Sequence, residues 1–390
     1  MARGPQLSNK TVLVWLGIFV VAALALRIGG NVDASYDEES GRYLYSGNDP
    51  YYHDRTVDHI VETGDSLLWD PAINFPEGGP NPNPPIYDWT AALDAKILTM
   101  FGMEQDAAVG LALNLSVAFW GAITVIPVFM IGAELFSRRV GLWAGFFMAV
   151  SAPHIQRGVF GFADHDATTM FFITLAMAFA LKGVKALDDR EYVPDWRHSS
   201  ALLTGLKASF AHNKQAMLWS ALAGTALSAT ALTWKGYPYV LAVLAVAVGL
   251  HLISDHLKNT DSTAVWAFYL LPLIMVTIIP MVYYGAFPQF MDTTIMAGLY
   301  VLLGVLIVGA ILVPTRDLPS IVVFPALAVT ALIGILLMLL VFPAVGETIF
   351  TGLGYFKQTK LYTTIAEAQR TELGRVAASF GFFTFLVAFG

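Results

Sequence analysis

Apolar blocks break up this sequence near Thr11–Leu26, Ala107–Leu135, Val140–Pro153, Thr168–Leu181, Ala216–Thr233, Tyr239–Ile253, Ala264–Tyr284, Thr294–Val313, Ile321–Val345 and from Val376 onward. Blocks of about 17–25 apolar residues are long enough to cross a bilayer, where a chain must satisfy its own backbone hydrogen bonds. The pattern predicts an all-α polytopic membrane protein with about ten spans. Composition agrees, since 56% of the 390 residues are apolar and only 13% charged, far from a soluble domain. The net charge of −7 argues against a nucleic-acid partner, which needs a basic face. The absence of cysteine excludes disulfides, zinc thiolate sites and thiol catalysis.

Arg3 and Lys10 precede the first block as they would in a signal peptide, but no small-residue cleavage site follows, so it reads as a retained span. Residues 31–105 are rich in acids, aromatics and proline and predict a large first external loop. Residues 346–375 predict the fifth external loop, with Gly352 and Gly354 as hinges. Placing the connecting segments alternately inside and outside, from an inside N-terminus, puts 12 of the 22 Lys and Arg residues inside with 8 acids. The remaining 10 basic residues and 21 acids fall outside, so a net of +4 faces one of −11. The tight Ser137-Arg138-Arg139 connection points the same way. The expected location is the cell membrane, with a multi-pass chain and its acids on the external face.

Three polar clusters fall on that face. The first, Gly47-Asn48-Asp49-Pro50-Tyr51-Tyr52-His53-Asp54-Arg55, predicts a turn and a helix start at Asp49-Pro50, after which Asp54, Asp58 and Glu62 recur at helical spacing. Taken alone, Asp49 reads equally well as a helix cap. The second runs from Arg157 through Asp164-His165-Asp166. Two carboxylates at this spacing reach one cation, and hard oxygen ligands suit Mg²⁺ or Mn²⁺. Capping of the next helix accounts for one acid and leaves the other unexplained. His165 either joins the ligands or points away, and Arg157 either neutralises the acids or binds an anion held by the metal. The third cluster, Thr363-Thr364-Ile365-Ala366-Glu367, holds an acid that alone would be an ordinary solvated one.

Trp234-Lys235-Gly236-Tyr237-Pro238-Tyr239 joins two spans, and its aromatics read as interface anchors. Lys235 either contacts a lipid phosphate or snorkels. His251 and His256 are expected at the inner interface. Two sequons, Asn9-Lys10-Thr11 and Asn114-Leu115-Ser116, lie inside and within a span, so neither predicts self-modification.

The three clusters, in this order and at these topological positions, resemble the catalytic subunit of oligosaccharyltransferase in its archaeal form. Gly47-Asn48-Asp49 matches the family's Gly-x-Asp motif. Asp164 and Asp166, with Arg157 seven residues ahead, match its second Asp-x-Asp-like motif, and Thr364-Ile365-Ala366-Glu367 matches its Thr-Ile-x-Glu motif. The Trp-Lys-Gly-Tyr-Pro-Tyr stretch is similar to a turn of archaeal members. The likeness covers nearly the whole chain and implies a GT-C-type glycosyltransferase architecture. Family members usually continue through about three more spans into a soluble external domain with a Trp-Trp-Asp-Tyr-Gly motif. That domain is absent from this sequence, which stops at Gly390 inside an apolar block and so reads as truncated, without any arginine that later spans would supply.

The resemblance implies transfer of an oligosaccharide from a dolichyl (polyprenyl) phosphate or diphosphate carrier to Asn of Asn-x-Ser/Thr sequons. The implied partners are a lipid-linked oligosaccharide, an acceptor polypeptide and membrane lipids, for an enzyme working as a single subunit. Asp49, Arg157 and Glu367 are the implied catalytic residues. Asp49, Asp164 and Asp166 would hold Mn²⁺ or Mg²⁺, and Glu367, Thr364, Lys235 and His165 would contact substrates. Another polyprenyl-phosphate glycosyltransferase, such as a protein O-mannosyltransferase, is the alternative enzyme, but it would not be expected to carry the Thr-Ile-x-Glu element. A transporter is the alternative outside enzymes, although its coupling acids should lie near the midplane of broken spans.

Overall fold

The structure is a computed structural model that describes residues 7–193, 196–285, 293–341 and 372–381. It opens with α1 (Asn9–Ile28), whose start is capped by Ser8, the Oγ accepting the Thr11 N–H at 3.1 Å. After α2 (Val32–Ser35), strands β1 (Tyr36–Asp37) and β2 (Arg42–Tyr43) form a short antiparallel ladder. Then come α3 (Asp49–Thr63), the antiparallel pair β3 (Trp69–Asp70) and β4 (Gly79–Pro80), and α4 (Pro85–Met100). The helix expected to start at Asp49-Pro50 is present: proline in the first turn costs no helical hydrogen bond there, and Gly64 ends it in the left-handed region at φ 80°.

A mostly helical stretch follows: α5 (Gln105–Ile123), α6 (Val125–Leu135), α7 (Arg138–Ala149), α8 (Ala152–Gln156) and α9 (Asp166–Lys185). A 3-10 turn at Trp196–Ala201 leads into α10 (Leu202–His212), α11 (Lys214–Ala231), α12 (Pro238–Leu257), α13 (Thr263–Gly285), α14 (Thr293–Leu312), α15 (Ser320–Val341) and α16 (Leu373–Phe380). Among the described residues, six helical segments are long and apolar enough to cross a bilayer: Asn9–Ser35, Gln105–Leu135, Asp166–Lys185, Pro238–Leu257, Thr263–Gly285 and Ser320–Leu337. The chain is thus a multi-pass helical membrane protein. The block expected at Val140–Pro153 is divided: α7 stops at Ala149 and the short α8, with proline in its first turn, takes over.

The two largest packing centres among the described residues organise these helices. One joins α11, α12, α13 and α14 around Leu241, Leu252, Trp266, Phe268 and Leu273, with Trp266 Nε1 donating to Val305 O at 3.0 Å and Ser220 Oγ to Phe268 O at 2.6 Å. His256, expected at the interface, is instead buried there, its ring 5.4 Å from that of Phe324. The ring of Phe324 on α15 offers the imidazole an apolar contact inside this core. The second centre joins α3, α4 and α5 through Val57, Ile60, Tyr87, Ala91, Val109 and Leu113, and takes in Tyr45 and Ala163 from the flanking loops. It is the platform on which the acidic loops rest.

Candidate active site

The loop that follows α8 is held from three sides. Phe160 N–H donates to Arg27 O at 2.9 Å, Gly161 N–H to Asn114 Oδ1 at 2.6 Å, and Ser46 N–H to Gly161 O at 2.7 Å. Gly161 stands at φ +98°, where a Cβ would meet Ser35 Oγ at 2.8 Å, so both its conformation and its space call for glycine. Gly47, at φ +94°, turns the chain ahead of α3 beside the Phe162 ring. The first and second acidic clusters, over a hundred residues apart in sequence, are thereby brought together.

The anchors are themselves buried. Asn114 is wholly enclosed and donates to Gly110 O at 2.9 Å while accepting from Gly161. A sequon asparagine here is therefore a structural clasp. Arg27 is also wholly enclosed at the end of α1. Its Nη1 donates to Ala23 O at 2.8 Å and its Nη2 to His154 Nδ1 at 2.5 Å, tying α1 to α8. On the other side of the platform, Arg55 grips the buried Asp70 with two parallel bonds of 2.8 and 2.9 Å, stapling α3 to β3.

Asp49 is exposed at the first turn of α3, where a helix N-terminus favours negative charge. Asp166 occupies the first turn of α9, with His165 as its N-cap. Arg157 Nη1 lies 3.1 Å from Asp166 Oδ2, and its guanidinium stacks 5.4 Å over the Phe162 ring. Asp166 also lies within electrostatic reach of both Asp164 and Asp49.

Asp164 behaves differently. It is 5% exposed, and one oxygen, Oδ1, accepts the backbone N–H of His165 and lies 2.7 Å from His165 Nδ1 and 3.4 Å from His53 Nε2. Burial favours the neutral acid, but the hydrogen bonds from His165 and His53 and their charge outweigh it and hold Asp164 well below the usual carboxylate range. His53 is 1% exposed, with Nδ1 at 2.5 Å from Asp88 Oδ1. Burial works against a charged imidazole there, yet Asp88 and Asp164 prevail and push its pKa up to about 10. Ligand atoms of His53, Asp164 and His165 all lie within 4.8 Å of one another, a grouping able to hold a metal ion.

Of the residues expected to act together, Arg157 meets Asp166 and His165 meets Asp164, and Asp49 stands within electrostatic reach of Asp166. Lys235 lies in the turn between α11 and α12, half-buried. The Ile86 N–H donates to Leu232 O at 2.9 Å, which brings that turn to the start of α4. Thr364 and Glu367 lie outside the described residues, although α16 just beyond them packs beside α8. His53 stands within the first cluster without an expected role, and Asp88, Asn114 and Arg27 are not expected from the sequence to belong to the site.

Asp54, on the same helix as His53, has its pKa pushed up to about 6 by burial and by Asp58, against the pull of Arg42. A raised acid of this kind supports folding fully below its unfolded pKa, near 4, and that support is lost as pH rises through about 6. Asp54→Asn is expected to raise the thermal midpoint by a few degrees at pH 7.5 and to leave it nearly unchanged at pH 4. Melting curves at the two pH values check this, and equal shifts would contradict it.

The chain is 29% identical to the dolichyl-monophosphooligosaccharide–protein glycotransferase AglB of Haloferax volcanii, over 89% of this chain and 35% of the relative. It spans about a third of the length of that relative. Its fold matches the archaeal oligosaccharyltransferase AglB of Archaeoglobus fulgidus, solved with an inhibitory peptide and a dolichol-phosphate, at a TM-score of 0.77 and 17% identity, over 95% of this chain and 43% of that one. It also matches an oligosaccharyltransferase of the same organism solved with Zn and sulfate, at a TM-score of 0.62 and 18% identity, over 87% of this chain and 40% of that one. With residues 18–354 matching the family described as oligosaccharyl transferase STT3, N-terminal, the chain belongs to that family.

Proposed function

We propose that the protein transfers an oligosaccharide from a polyprenyl (dolichyl) phosphate or diphosphate carrier to the side-chain nitrogen of Asn in Asn-x-Ser/Thr sequons, at the external face of the membrane. The observation that carries this reading is the joining of the two acidic loops in a member of the oligosaccharyl transferase family. Asp49, Arg157, Asp164 and Asp166 then share one site.

An amide nitrogen is a poor nucleophile because its lone pair is delocalised. Asp49 and Glu367 accept the two carboxamide N–H groups, holding the nitrogen toward the sugar. Arg157, kept in place by Asp166 and Phe162, stabilises negative charge on the departing phosphate. His165, Lys235, Thr364 and Glu367 contact the substrates.

Asp49, Asp164 and Asp166 would hold a divalent cation. The donor set fits, since Asp164 offers its carboxylate between two imidazoles and beside two further acids. Carboxylates suit Mn²⁺ or Mg²⁺, and nearby imidazoles extend the range toward zinc. When bound, the ion supplies Lewis-acid stabilisation to the phosphate oxygens.

Mass spectrometry of an Asn-x-Thr peptide incubated with membranes carrying the protein tests the reading. Glycopeptide is expected with Mn²⁺ and lost after exhaustive chelation. Activity that survives chelation would remove the metal from the mechanism.

A further inference from the structure

Asp164 has its two oxygens in unlike surroundings. Oδ1 faces the His165 backbone N–H at 2.7 Å, His165 Nδ1 at 2.7 Å and His53 Nε2 at 3.4 Å. Oδ2 takes no hydrogen bond among the described residues, and it is not one of the enclosed atoms left without a partner. A carboxylate can rotate about its Cβ–Cγ bond, so something must decide which oxygen faces the site. One set of donors comes from the neighbouring residue, on the same loop. The other, His53, comes from a different element and is far more constrained.

His53 sits on α3 with its ring 1% exposed, edge-on to Tyr87 at 4.9 Å. Asp88, on α4 and also 1% exposed, meets Nδ1 at 2.5 Å. A carboxylate only accepts, so the imidazole donates from Nδ1, and this fixes the ring plane and aims Nε2 at Asp164. Enclosing a carboxylate and an imidazole at this depth is costly unless the pair is hydrogen-bonded, and the pair does not touch Asp49, Arg157 or Asp166. It reaches the site through His53 Nε2, which lies 3.4 Å from Asp164 Oδ1 and 3.4 Å from His165 Nδ1, while Asn83 Nδ2 stands 3.3 Å from Nδ1. Carboxylate–histidine pairs behind a ligating group serve in the same way to orient ligands at metal sites generally.

We propose that His53, oriented by Asp88, is a positioning residue that pins Asp164 through Oδ1 and so presents Oδ2 to the divalent cation. The proposal rests on the metal role assigned to Asp164 under the proposed function. Asp88 and His53 act in series, so removing either one releases the same constraint.

Mn²⁺ binding to the whole chain in detergent, followed by electron paramagnetic resonance, is the test. Asp88→Asn and His53→Ala are each expected to weaken Mn²⁺ affinity by about 10-fold or more, as loss of outer-sphere partners does at other metal sites. The double variant should be no weaker than His53→Ala alone. His53→Gln, whose amide N–H can still reach Asp164, should recover part of the loss, which a direct metal ligand at His53 would not allow. Wild-type affinity in Asp88→Asn, or additive losses in the double variant, would overturn the proposal. So would a variant that loses its fold, by size-exclusion and melting, without a specific loss of Mn²⁺. If the wild-type chain binds no Mn²⁺, the positioning role falls with the metal, whereas glycopeptide formation assayed separately still decides the transferase reading.

Discussion

Asp164→Asn is expected to lower glycopeptide formation by about 10³-fold and to destabilise the protein as well, a combination that sets it apart from its neighbours. The loss of rate follows from removing a charged group from the site, where single preorganised electrostatic contributions are worth about 10²–10³ in rate and a metal ligand adds to that. The loss of stability follows from its surroundings. Asp164 is 5% exposed and its Oδ1 gathers donors from both His165 and His53. An amide in its place turns a donor toward donors or drops one of them, which costs about 1–3 kcal/mol for each buried group left unsatisfied. Asp166→Asn is the control: that side chain is 38% exposed and bonded to Arg157, so it should lose activity with little change in melting. Parallel rate and melting measurements on the two variants check the contrast. Equal melting would show that Asp164 is not the buried anchor its hydrogen bonds describe.

Gly141→Val is expected to cost about 3 kcal/mol or more and to abolish activity although its nearest neighbours, on α6, include none of the acids of the site. Helices α6 and α7 approach closely enough for their backbones to touch. A Cβ on Gly141 would stand 2.6 Å from Phe129 O and 2.8 Å from Ala133 N, both main-chain atoms that cannot step aside. Gly132 on the facing helix is equally confined, with a Cβ falling 2.9 Å from the Gly141 Cα. Within a bilayer no hydrophobic force drives helices together, so such close contacts between small residues supply much of the association. Valine would wedge the pair apart, and α7 leads directly into α8 and the loop that carries Arg157, Asp164 and Asp166. Gly17→Ala on α1, where nothing lies within 4 Å of the added carbon, should be neutral. Thermal unfolding in detergent distinguishes the two. A Gly141→Val protein with the wild-type midpoint would refute the close approach.

What could be read from residue order was set by local physics. The membrane helices announce themselves because length and apolar content are properties of a single segment. The start of α3 is legible because Asp49-Pro50 is a local helix signal. Arg157 and Asp166, nine residues apart, could be paired by the same short-range logic. His53, Asp88, Asn114 and Arg27 could not, since each owes its role to a partner remote in sequence. Arg27 meets His154 across 127 positions, Asn114 meets Gly161 across 47 and His53 meets Asp88 across 35. Two of these signals were nevertheless present. A charged residue at the end of an apolar span and an asparagine inside one are both costly in a membrane and mark sites where a partner must exist. Gly141 and Gly145, four apart on one helix face, spell the small-residue pattern that the α6–α7 contact uses.

The two acidic loops, on the proposed reading, form one site for glycan transfer to asparagine. The most direct test of that reading is mass spectrometry of two peptides, differing only as Asn-x-Thr and Gln-x-Thr, incubated with membranes carrying the protein and its lipid-linked donor. A glycan-mass addition is expected on the asparagine peptide alone, present with Mn²⁺ and lost in Asp166→Asn. Addition to the threonine of both peptides, or an undiminished yield from Asp166→Asn, would contradict it.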